Sequence, residues 1–121
     1  MALIIIADDS AFMRRIARMA LESGGHTVIE AEDGGAAITL AEREKPALIL
    51  LDAEMPEVDG WEASLRIKEN PQTMHIPVLI CTGHDLSEEQ DQLKAVKADD
   101  YISKPYNPAQ LLAKVNQYLK K

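Results

Sequence analysis

The sequence predicts an α/β domain in which five parallel strands form one sheet with helices on both faces. Three continuous apolar runs, at residues 3–7, 47–51 and 77–81, predict strands that are buried on both sides. Two weaker strands are predicted at residues 27–31 and 100–103. Helical patterns alternate with the strands, and right-handed crossovers then give an open, doubly wound parallel sheet in three layers.

The first helix is predicted from an apolar face and a glycine stop. The residues of this face are Phe12, Met13, Ile16, Met19 and Ala20. Gly24 and Gly25 follow and are expected to end the helix, since glycine is common just past a helix C-terminus. Three arginines lie on the outer side, which either only faces solvent or also binds a partner: Arg14, Arg15 and Arg18.

The remaining helices are predicted from their faces and their caps. The second covers about residues 34–44, and the third covers about residues 61–69 and stops before Pro71, because the residue preceding a proline disfavours the helical region. The fourth is expected to begin at the capping box of residues 87–90 and has a thin apolar face. The fifth begins at residues 107–110, which combine a cap, a first-turn proline and a reciprocal glutamine.

Composition limits the classes of function. The 121 residues are expected to form one domain, 1–121, and carry 20 acidic against 13 basic side chains, a net charge of −7. This balance disfavours direct binding to nucleic acid or to an anionic membrane. The single cysteine, Cys81, excludes an intramolecular disulfide, and no apolar run approaches the roughly 20 residues that span a bilayer. We therefore expect a cytoplasmic protein.

Polar side chains follow four of the five predicted strands. They are Asp8 and Asp9, Asp52, Thr82, and Lys104. Because ligands of open α/β sheets bind at the carboxyl ends of the strands, these side chains are expected to share one crevice. Three clustered carboxylates need a cation, and oxygen ligands without histidine or thiolate favour Mg²⁺, with Mn²⁺ as an alternative. The lysine ammonium and the threonine hydroxyl suit a phosphoryl oxygen.

Asp52 is the best candidate for a nucleophile in this crevice. A carboxylate beside a divalent cation and a lysine can attack phosphorus and form an acyl phosphate. Asp52 stands alone at the end of the run ALILLD, whereas Asp8 and Asp9 are adjacent and better placed to hold the metal. The competing interpretation of either Asp8 or Asp9 is a helix N-cap.

Four motifs, in this order and spacing, resemble the receiver domain of two-component response regulators. They are IIIADDS, LILLDAEMPEVDG, PVLICTG and DDYISKPYN. The resemblance covers essentially the whole chain and implies the flavodoxin-like fold of the bacterial chemotaxis response regulator, with strand order 2-1-3-4-5.

The resemblance also implies roles for the residues that carry it. Asp52 would be the phosphoacceptor, Asp9 a direct magnesium ligand, Asp8 a ligand acting largely through water, and the backbone carbonyl of Glu54 a further ligand. Thr82 and Lys104 would hold the phosphoryl group, and a cis peptide is expected before Pro105. Tyr101 resembles the aromatic switch residue of the family, while Glu54 and His84 occupy positions that tune the lifetime of the acyl phosphate.

The partners that the resemblance implies are proteins. A sensor histidine kinase or a histidine phosphotransfer protein would donate the phosphoryl group, often by docking on the first helix. A downstream target or output domain would read a face formed by the fourth helix, fifth strand and fifth helix. Of two alternatives, a stand-alone regulator and the receiver of a longer protein, we expect the first, as a monomer or a weak phosphorylation-dependent dimer.

Two other functions are left open. One is a phosphorylation-independent pseudo-receiver that acts as an interaction module, although the complete set of site residues argues against it. The other is a magnesium-dependent phosphohydrolase, which usually has a second aspartate two residues after the nucleophile, where this chain has Glu54.

Overall fold

The structure is a computed structural model that describes residues 2–83 and 86–119, apart from the side chains of residues 86–89. Within these residues, five strands alternate with five helices. In chain order they are β1 Leu3–Ala7, α1 Ala11–Ser23, β2 Thr27–Ala31, α2 Gly34–Glu44, β3 Leu48–Asp52, α3 Gly60–Glu69, β4 Val78–Thr82, α4 Leu86–Ala95, β5 Asp100–Ser103 and α5 Pro108–Leu119.

The five strands form one parallel sheet in the order β2-β1-β3-β4-β5. This is the flavodoxin-like topology that the resemblance to receiver domains implied. The order reverses between β1 and β3, and such a reversal opens a crevice at the carboxyl ends of the neighbouring strands. β1 ends beside β3, so the polar residues that close these two strands lie at the same edge of the sheet.

The central strands are buried on both faces, as their continuous apolar sequences predicted. Ile5 and Ile49 pack with α2 and α3 in one core cluster. Ile4 and Leu48 point to the opposite side and pack with α1 and α5 in a second cluster. The central strands therefore form a rigid platform, and their polar residues Asp52 and Thr82 lie at the strand ends.

β3 and β4 begin and end one residue later than predicted. Pro77 has no N–H to donate to a ladder, so β4 begins at Val78, whose N–H is bonded to the Asp99 carboxylate at 2.8 Å. The shift makes Asp52 and Thr82 the last residues of their strands rather than the first residues after them. Their positions are thus fixed by the sheet.

The predicted apolar face of α1 is only partly buried. The residues that α1 buries are Ala17, Ala20 and Leu21. Phe12 is 70% exposed and Met19 is 64% exposed. At 100° per residue these two side chains point about 135° and about 155° away from the centre of the buried face, so they lie on the side of the helix that is turned from the sheet. The apolar surface of α1 is wider than its contact with the core.

The starts of the last two helices differ in how well the sequence predicted them. α4 begins at Leu86, so Ser87 lies inside the helix and not at its cap; a Ser-x-x-Gln spacing marks a cap only if the serine backbone is non-helical. For α5 the prediction is confirmed. The side chain of Asn107 accepts from the Gln110 N–H at 2.7 Å, and the Gln110 side chain accepts from the Asn107 N–H at 3.3 Å.

Candidate functional site

Asp8 and Asp9 form an acidic turn between β1 and α1. The Asp8 N–H continues the ladder by donating to the Ala31 carbonyl at 3.1 Å, and the Asp8 Oδ1 atom accepts from the Ser10 N–H at 2.9 Å. Neither aspartate is the N-cap of α1, because Ser10 takes that position and accepts from the Met13 N–H. The N-cap interpretation of the two aspartates is therefore wrong.

Asp52 closes β3 in a nearly buried position, with 7% of its surface exposed. It pairs in register with Cys81 of β4, and the following Ala53 N–H donates to the Cys81 carbonyl at 2.8 Å. Burial raises the pKa of the Asp52 carboxyl, the hydrogen bond from Lys104 opposes this, and the charge of Asp8 adds to the rise, leaving the pKa above its ordinary value. A backbone hydrogen bond from Glu54 also stabilises the carboxylate. Asp52 is thus a carboxylate that gains from a nearby cation.

Lys104 brings a positive charge into the same crevice. Its Nζ atom lies 2.5 Å from the Asp52 Oδ1 atom and 3.7 Å from the Asp8 Oδ2 atom. Burial lowers the pKa of the Lys104 ammonium, but the hydrogen bond to Asp52 and the charges of Asp52 and Asp8 outweigh it, so the pKa is raised. The peptide between Lys104 and Pro105 is cis, as expected. The ammonium can therefore reach any group bound to Asp52.

Thr82 ends β4 beside Asp52's strand and is almost fully buried. It pairs in register with Ser103, and the Lys104 N–H donates to the Thr82 carbonyl at 2.8 Å. The fold therefore places a hydroxyl and an ammonium at the ends of adjacent strands. All five predicted crevice residues lie at the same edge of the sheet.

Three of these residues form a cluster that could hold a metal ion. One carboxylate oxygen from each of Asp8, Asp9 and Asp52 lies within 4.8 Å of the other two. Charges at this spacing repel by about 3 kcal/mol per pair at an effective dielectric constant near 20. Mg²⁺ takes oxygen ligands at about 2.1 Å and usually keeps several waters, so oxygens at this spacing could hold one ion, directly or through water. The hard oxygen donors and their spacing fit Mg²⁺.

The cluster opens into a crevice of about 680 Å³, whose lining includes Asp9, Glu54 and Trp61. The side chain of Glu54 is exposed, while Trp61 is half-buried in the first turn of α3. The crevice is thus open to solvent and accessible to a phosphoryl donor. His84 lies outside the described residues.

Tyr101 is half-buried in β5 and lines a second groove, of about 530 Å³, between β5 and α5. The Lys114 Nζ atom lies 5.7 Å from the centroid of the Tyr101 ring, within the range of a cation–π contact. Lys114 also pairs with Asp100 at 3.1 Å, and the Tyr118 hydroxyl donates to the same carboxylate at 2.6 Å. Burial and this hydrogen bond raise the pKa of Tyr118 to about 12. The Tyr101 ring is therefore held against α5.

Two residues that support the site were not predicted to do so. Arg14 was expected to face solvent, but only 11% of its side chain is exposed, and its guanidinium donates to the Asp8 carbonyl. Gly60 precedes the predicted third helix, but in the structure it is the first residue of α3 and packs on the backbone of Asp52. A glycine at the first helical position, where other residues are favoured, was a signal for such a close approach. Nothing in the sequence predicted that Arg14 would form an ion pair with Glu30 of β2.

Comparison with known protein families decides the classification. The family model of the response regulator receiver domain matches residues 4–116. The chain belongs to this family. Receivers are signalling switches of two-component systems, not conventional enzymes, and the resemblance stated from the four sequence motifs is confirmed.

Relatives of this receiver include proteins of about the same length and longer proteins. Protein PilH of Pseudomonas aeruginosa is 38% identical over 120 residues, which cover 98% of each chain. The phosphate regulon transcriptional regulatory protein PhoB of the same organism is 36% identical over 118 residues, or 98% of this receiver and 52% of PhoB. The crystal structure of the Vibrio cholerae chemotaxis protein CheY4 superposes with a TM-score of 0.93 at 30% identity, covering 98% of this receiver and 99% of CheY4.

Among residues 2–83 and 86–119, none of the helices is both long enough and apolar enough to cross a bilayer.

Proposed function

We propose that this receiver accepts a phosphoryl group from a phosphohistidine on the carboxylate of Asp52, in a Mg²⁺-dependent reaction, and thereby switches a protein-binding face. The observation that carries the proposal is the convergence of Asp52 with two further carboxylates and the ammonium of Lys104 at one sheet edge. The chain also belongs to a family of signalling switches that share this fold, and this membership supports the proposal.

The proposed transfer breaks the nitrogen–phosphorus bond of the phosphohistidine and forms an oxygen–phosphorus bond to Asp52. The departing imidazole nitrogen keeps the bonding electron pair and takes a proton from solvent. Lys104, 2.5 Å from Asp52, is positioned to stabilise the negative charge on the transferred oxygens, and the Thr82 hydroxyl to donate to one of them. The rest of the barrier is lowered by holding the donor in line with Asp52.

We assign the metal to Asp9 and Asp52 as direct ligands, to Asp8 through water, and to the backbone carbonyl of Glu54. When bound, Mg²⁺ neutralises the acidic cluster and the phosphoryl oxygens. Mn²⁺ prefers similar oxygen ligands and is the expected substitute. The near-burial of Asp8 and Asp52 supports this assignment, because buried carboxylates need a cation or hydrogen bonds.

The switch that we propose connects Thr82 to Tyr101. Phosphorylation adds about one to two negative charges, which attract the Thr82 hydroxyl. Movement of Thr82 then leaves space into which the ring of Tyr101 turns, and this changes the surface of α4, β5 and α5. The thin apolar face of α4 supports this role, because an element with few core contacts shifts at low cost.

We propose that the donor, a sensor histidine kinase or a histidine phosphotransfer protein, docks on the exposed strip of α1. We define this strip by Phe12, Ile16 and Met19; Ile16 and Met19 line a groove of about 340 Å³ that reaches Pro108. The strip is apolar and belongs to the helix that follows Asp9, so a bound donor lies beside the crevice. Apolar patches of this kind mark protein interaction sites.

The output partner that we propose is a protein, either a downstream target or an output domain. It binds the receiver, which is a monomer or a weak phosphorylation-dependent dimer. A net charge of −7 disfavours direct contact with nucleic acid or an anionic membrane. Cys81 is buried and unpaired, which suits the reducing cytoplasm where we propose that the protein acts.

Glu54 and His84 are proposed to tune the lifetime of the acyl phosphate. The exposed Glu54 side chain belongs to the crevice lining, where a carboxylate can orient or repel a hydrolytic water. The decay rate of the adduct should therefore change in the double variant Glu54→Asn/His84→Ala. An unchanged rate contradicts the tuning role and leaves the phosphoacceptor role intact.

Two measurements test the proposed function: formation of a phosphoryl adduct on the protein and hydrolysis of a phosphoester by the protein. The protein is incubated with acetyl phosphate, with and without Mg²⁺, and its intact mass is measured; release of nitrophenol from p-nitrophenyl phosphate is followed in parallel. We expect one Mg²⁺-dependent phosphoryl adduct per chain and negligible nitrophenol release. Sustained release supports the phosphohydrolase, and the absence of an adduct despite Mg²⁺ binding supports the pseudo-receiver.

A further inference from the structure

Arg14 joins the acidic turn to a neighbouring strand. Its Nη1 atom donates to the backbone carbonyl of Asp8 at 2.6 Å, and its Nε atom donates to the Glu30 Oε1 atom of β2 at 2.8 Å. The planar guanidinium presents these donors in a fixed fork, so the two bonds together orient the side chain. With 11% of its surface exposed, Arg14 is screened from solvent, unlike an ordinary surface arginine.

The contact with Arg14 completes a set of three restraints on Asp8. The Asp8 N–H is bonded to the Ala31 carbonyl, its carbonyl accepts from Arg14, and its Oδ1 atom accepts from the Ser10 N–H. The remaining carboxylate oxygen, Oδ2, faces Lys104. Because the Asp8 carbonyl belongs to the peptide that leads to Asp9, Arg14 also fixes the point from which the Asp9 side chain projects.

Glu30 holds the guanidinium of Arg14 in place. Glu30 accepts from Arg14 and also from Arg18, with one carboxylate oxygen for each arginine. Arg18 in turn pairs with Glu22 and donates to the Val28 carbonyl, and no contact between Arg18 and the acidic turn is present among the described residues. Both arginines are positively charged and bind Glu30, but it is Arg14 that contacts Asp8.

We infer that Arg14 is a positioning residue for the metal site: its guanidinium, oriented by Glu30, holds the Asp8–Asp9 peptide so that both carboxylates face Asp52 before an ion binds. The inference rests on the proposed Mg²⁺ dependence of this receiver. Without Arg14, mutual repulsion of the three carboxylates would turn the Asp8–Asp9 pair outward, and the ion would have to reorder it on binding.

Electrostatics alone predicts that removal of Arg14 strengthens Mg²⁺ binding. Arg14 carries a positive charge, so its removal should increase the attraction of the acidic cluster for a cation. Removal of Arg18 should have the same sign of effect. A loss of Mg²⁺ affinity on removing Arg14 therefore reports positioning and cannot be explained by charge.

The experiment is a titration of Mg²⁺ and of Ca²⁺ into the wild type, Arg14→Ala, Arg14→Lys and Arg18→Ala. Trp61 is the single tryptophan of the chain and lines the crevice with Asp9, so its fluorescence reports the site, and calorimetry gives a second readout. Thermal unfolding of each variant is measured in parallel. Arg14→Lys keeps the charge but loses the fork, so it remains informative if Arg14→Ala does not fold.

We expect Arg14→Ala to weaken Mg²⁺ binding by about tenfold, which is the lower range for groups that orient metal ligands. Arg14→Lys should be intermediate, and Arg18→Ala should stay within about twofold of the wild type or bind slightly tighter. Because a rigid cluster favours the smaller ion, Arg14→Ala should also lose preference for Mg²⁺ over Ca²⁺. Loss of stability by itself does not alter this preference.

Two results would overturn the inference while leaving the proposed function intact. One is Mg²⁺ binding by Arg14→Ala that is as tight as, or tighter than, that of the wild type. The other is an equal loss of affinity in Arg18→Ala, which would assign the effect to the shared ion pairs and not to the Asp8 carbonyl. If the wild type itself fails to bind Mg²⁺, the proposed function and this inference both fail.

Discussion

The α-carbon of Gly60 faces the backbone carbonyl of Asp52 so closely that a β-carbon at this position would lie 2.2 Å from the carbonyl oxygen. The contact is made because the Gly60 N–H donates to the Ala53 carbonyl at 3.0 Å, which draws the start of α3 onto the end of β3. The backbone of the proposed phosphoacceptor therefore rests on a position that accepts only glycine.

Gly60→Ala is expected to destabilise the fold by about 1–3 kcal/mol, because the added methyl group meets backbone that cannot yield without moving Asp52. Denaturant unfolding measures the cost, and the rate of phosphorylation by acetyl phosphate should fall with it. Gly35→Ala is the matched control, since its β-carbon would lie 3.5 Å from the Asp33 Oδ1 atom, an ordinary van der Waals distance. Equal stability of the two variants would contradict the close contact.

Glu30 should make stability depend on pH. Burial raises the pKa of Glu30, but hydrogen bonds from Arg14 and Arg18 outweigh it and hold the pKa below its ordinary value of 4.5. A lowered folded-state pKa stabilises the fold while the carboxylate is ionised, so the contribution is complete above the unfolded-state pKa and is lost as the pH falls through the folded-state pKa. Glu30→Gln should therefore be less stable than the wild type at pH 7, and the difference should shrink below pH about 4.

Denaturant unfolding between pH 7 and pH 3 measures this difference. The control is Glu32→Gln, because the Glu32 side chain is 84% exposed and lies 4.0 Å from Arg14. It should show little difference from the wild type at any pH. A Glu30→Gln difference that stays constant across the range would show that the ion pairs do not set the pKa of Glu30.

The strip on α1 should affect transfer from a protein donor and not from a small molecule. Phe12→Ala/Met19→Ala removes exposed apolar surface without opening the core, so we expect phosphorylation by acetyl phosphate to be unchanged. Transfer from a phosphorylated histidine phosphotransfer protein that is active on the wild type should slow by about tenfold, as expected for about 1.4 kcal/mol of lost contact. Met74→Ala, on another exposed apolar side chain, is the control. Equal rates for all three proteins would remove α1 as the docking site.

Tyr101 should transmit phosphorylation to the α4, β5 and α5 face. In the described structure its ring lies beside Lys114, so turning inward breaks a contact with α5. We expect amide chemical shifts across this face to respond to phosphorylation in the wild type and to respond much less in Tyr101→Ala. Identical responses in both proteins would show that Tyr101 is not the switch.

The sequence predicted the fold well because the features that define it are local. Continuous apolar strands such as residues 3–7, and caps such as Asn107 with Gln110, specify elements without knowledge of their neighbours. The crevice followed from the same reasoning, since parallel strands end at one edge and the residues at their ends can be listed. The one-residue shift of β3 and β4 did not alter this list.

What the sequence did not predict depends on contacts between distant segments. The apolar residues of α1 include Phe12 and Met19, but only the packing of the helix shows that the core covers a narrower face than the pattern provides. In the sequence, Arg14 lies on the polar face of the first helix. Its hydrogen bond to Asp8 could not be predicted, because it depends on Glu30 of β2 lying beside the helix. Gly60 likewise needs the position of Asp52 to explain it.

The most direct test of the account is to locate the phosphoryl group. The protein is treated with acetyl phosphate and Mg²⁺, then with borohydride, which reduces an acyl phosphate to the alcohol and so converts the modified aspartate to homoserine; peptide mass spectrometry then identifies the position. We predict homoserine at position 52 alone, and none in Asp52→Asn. Homoserine at position 8 or 9, or at no position despite bound Mg²⁺, would contradict the assignment of Asp52 as the phosphoacceptor.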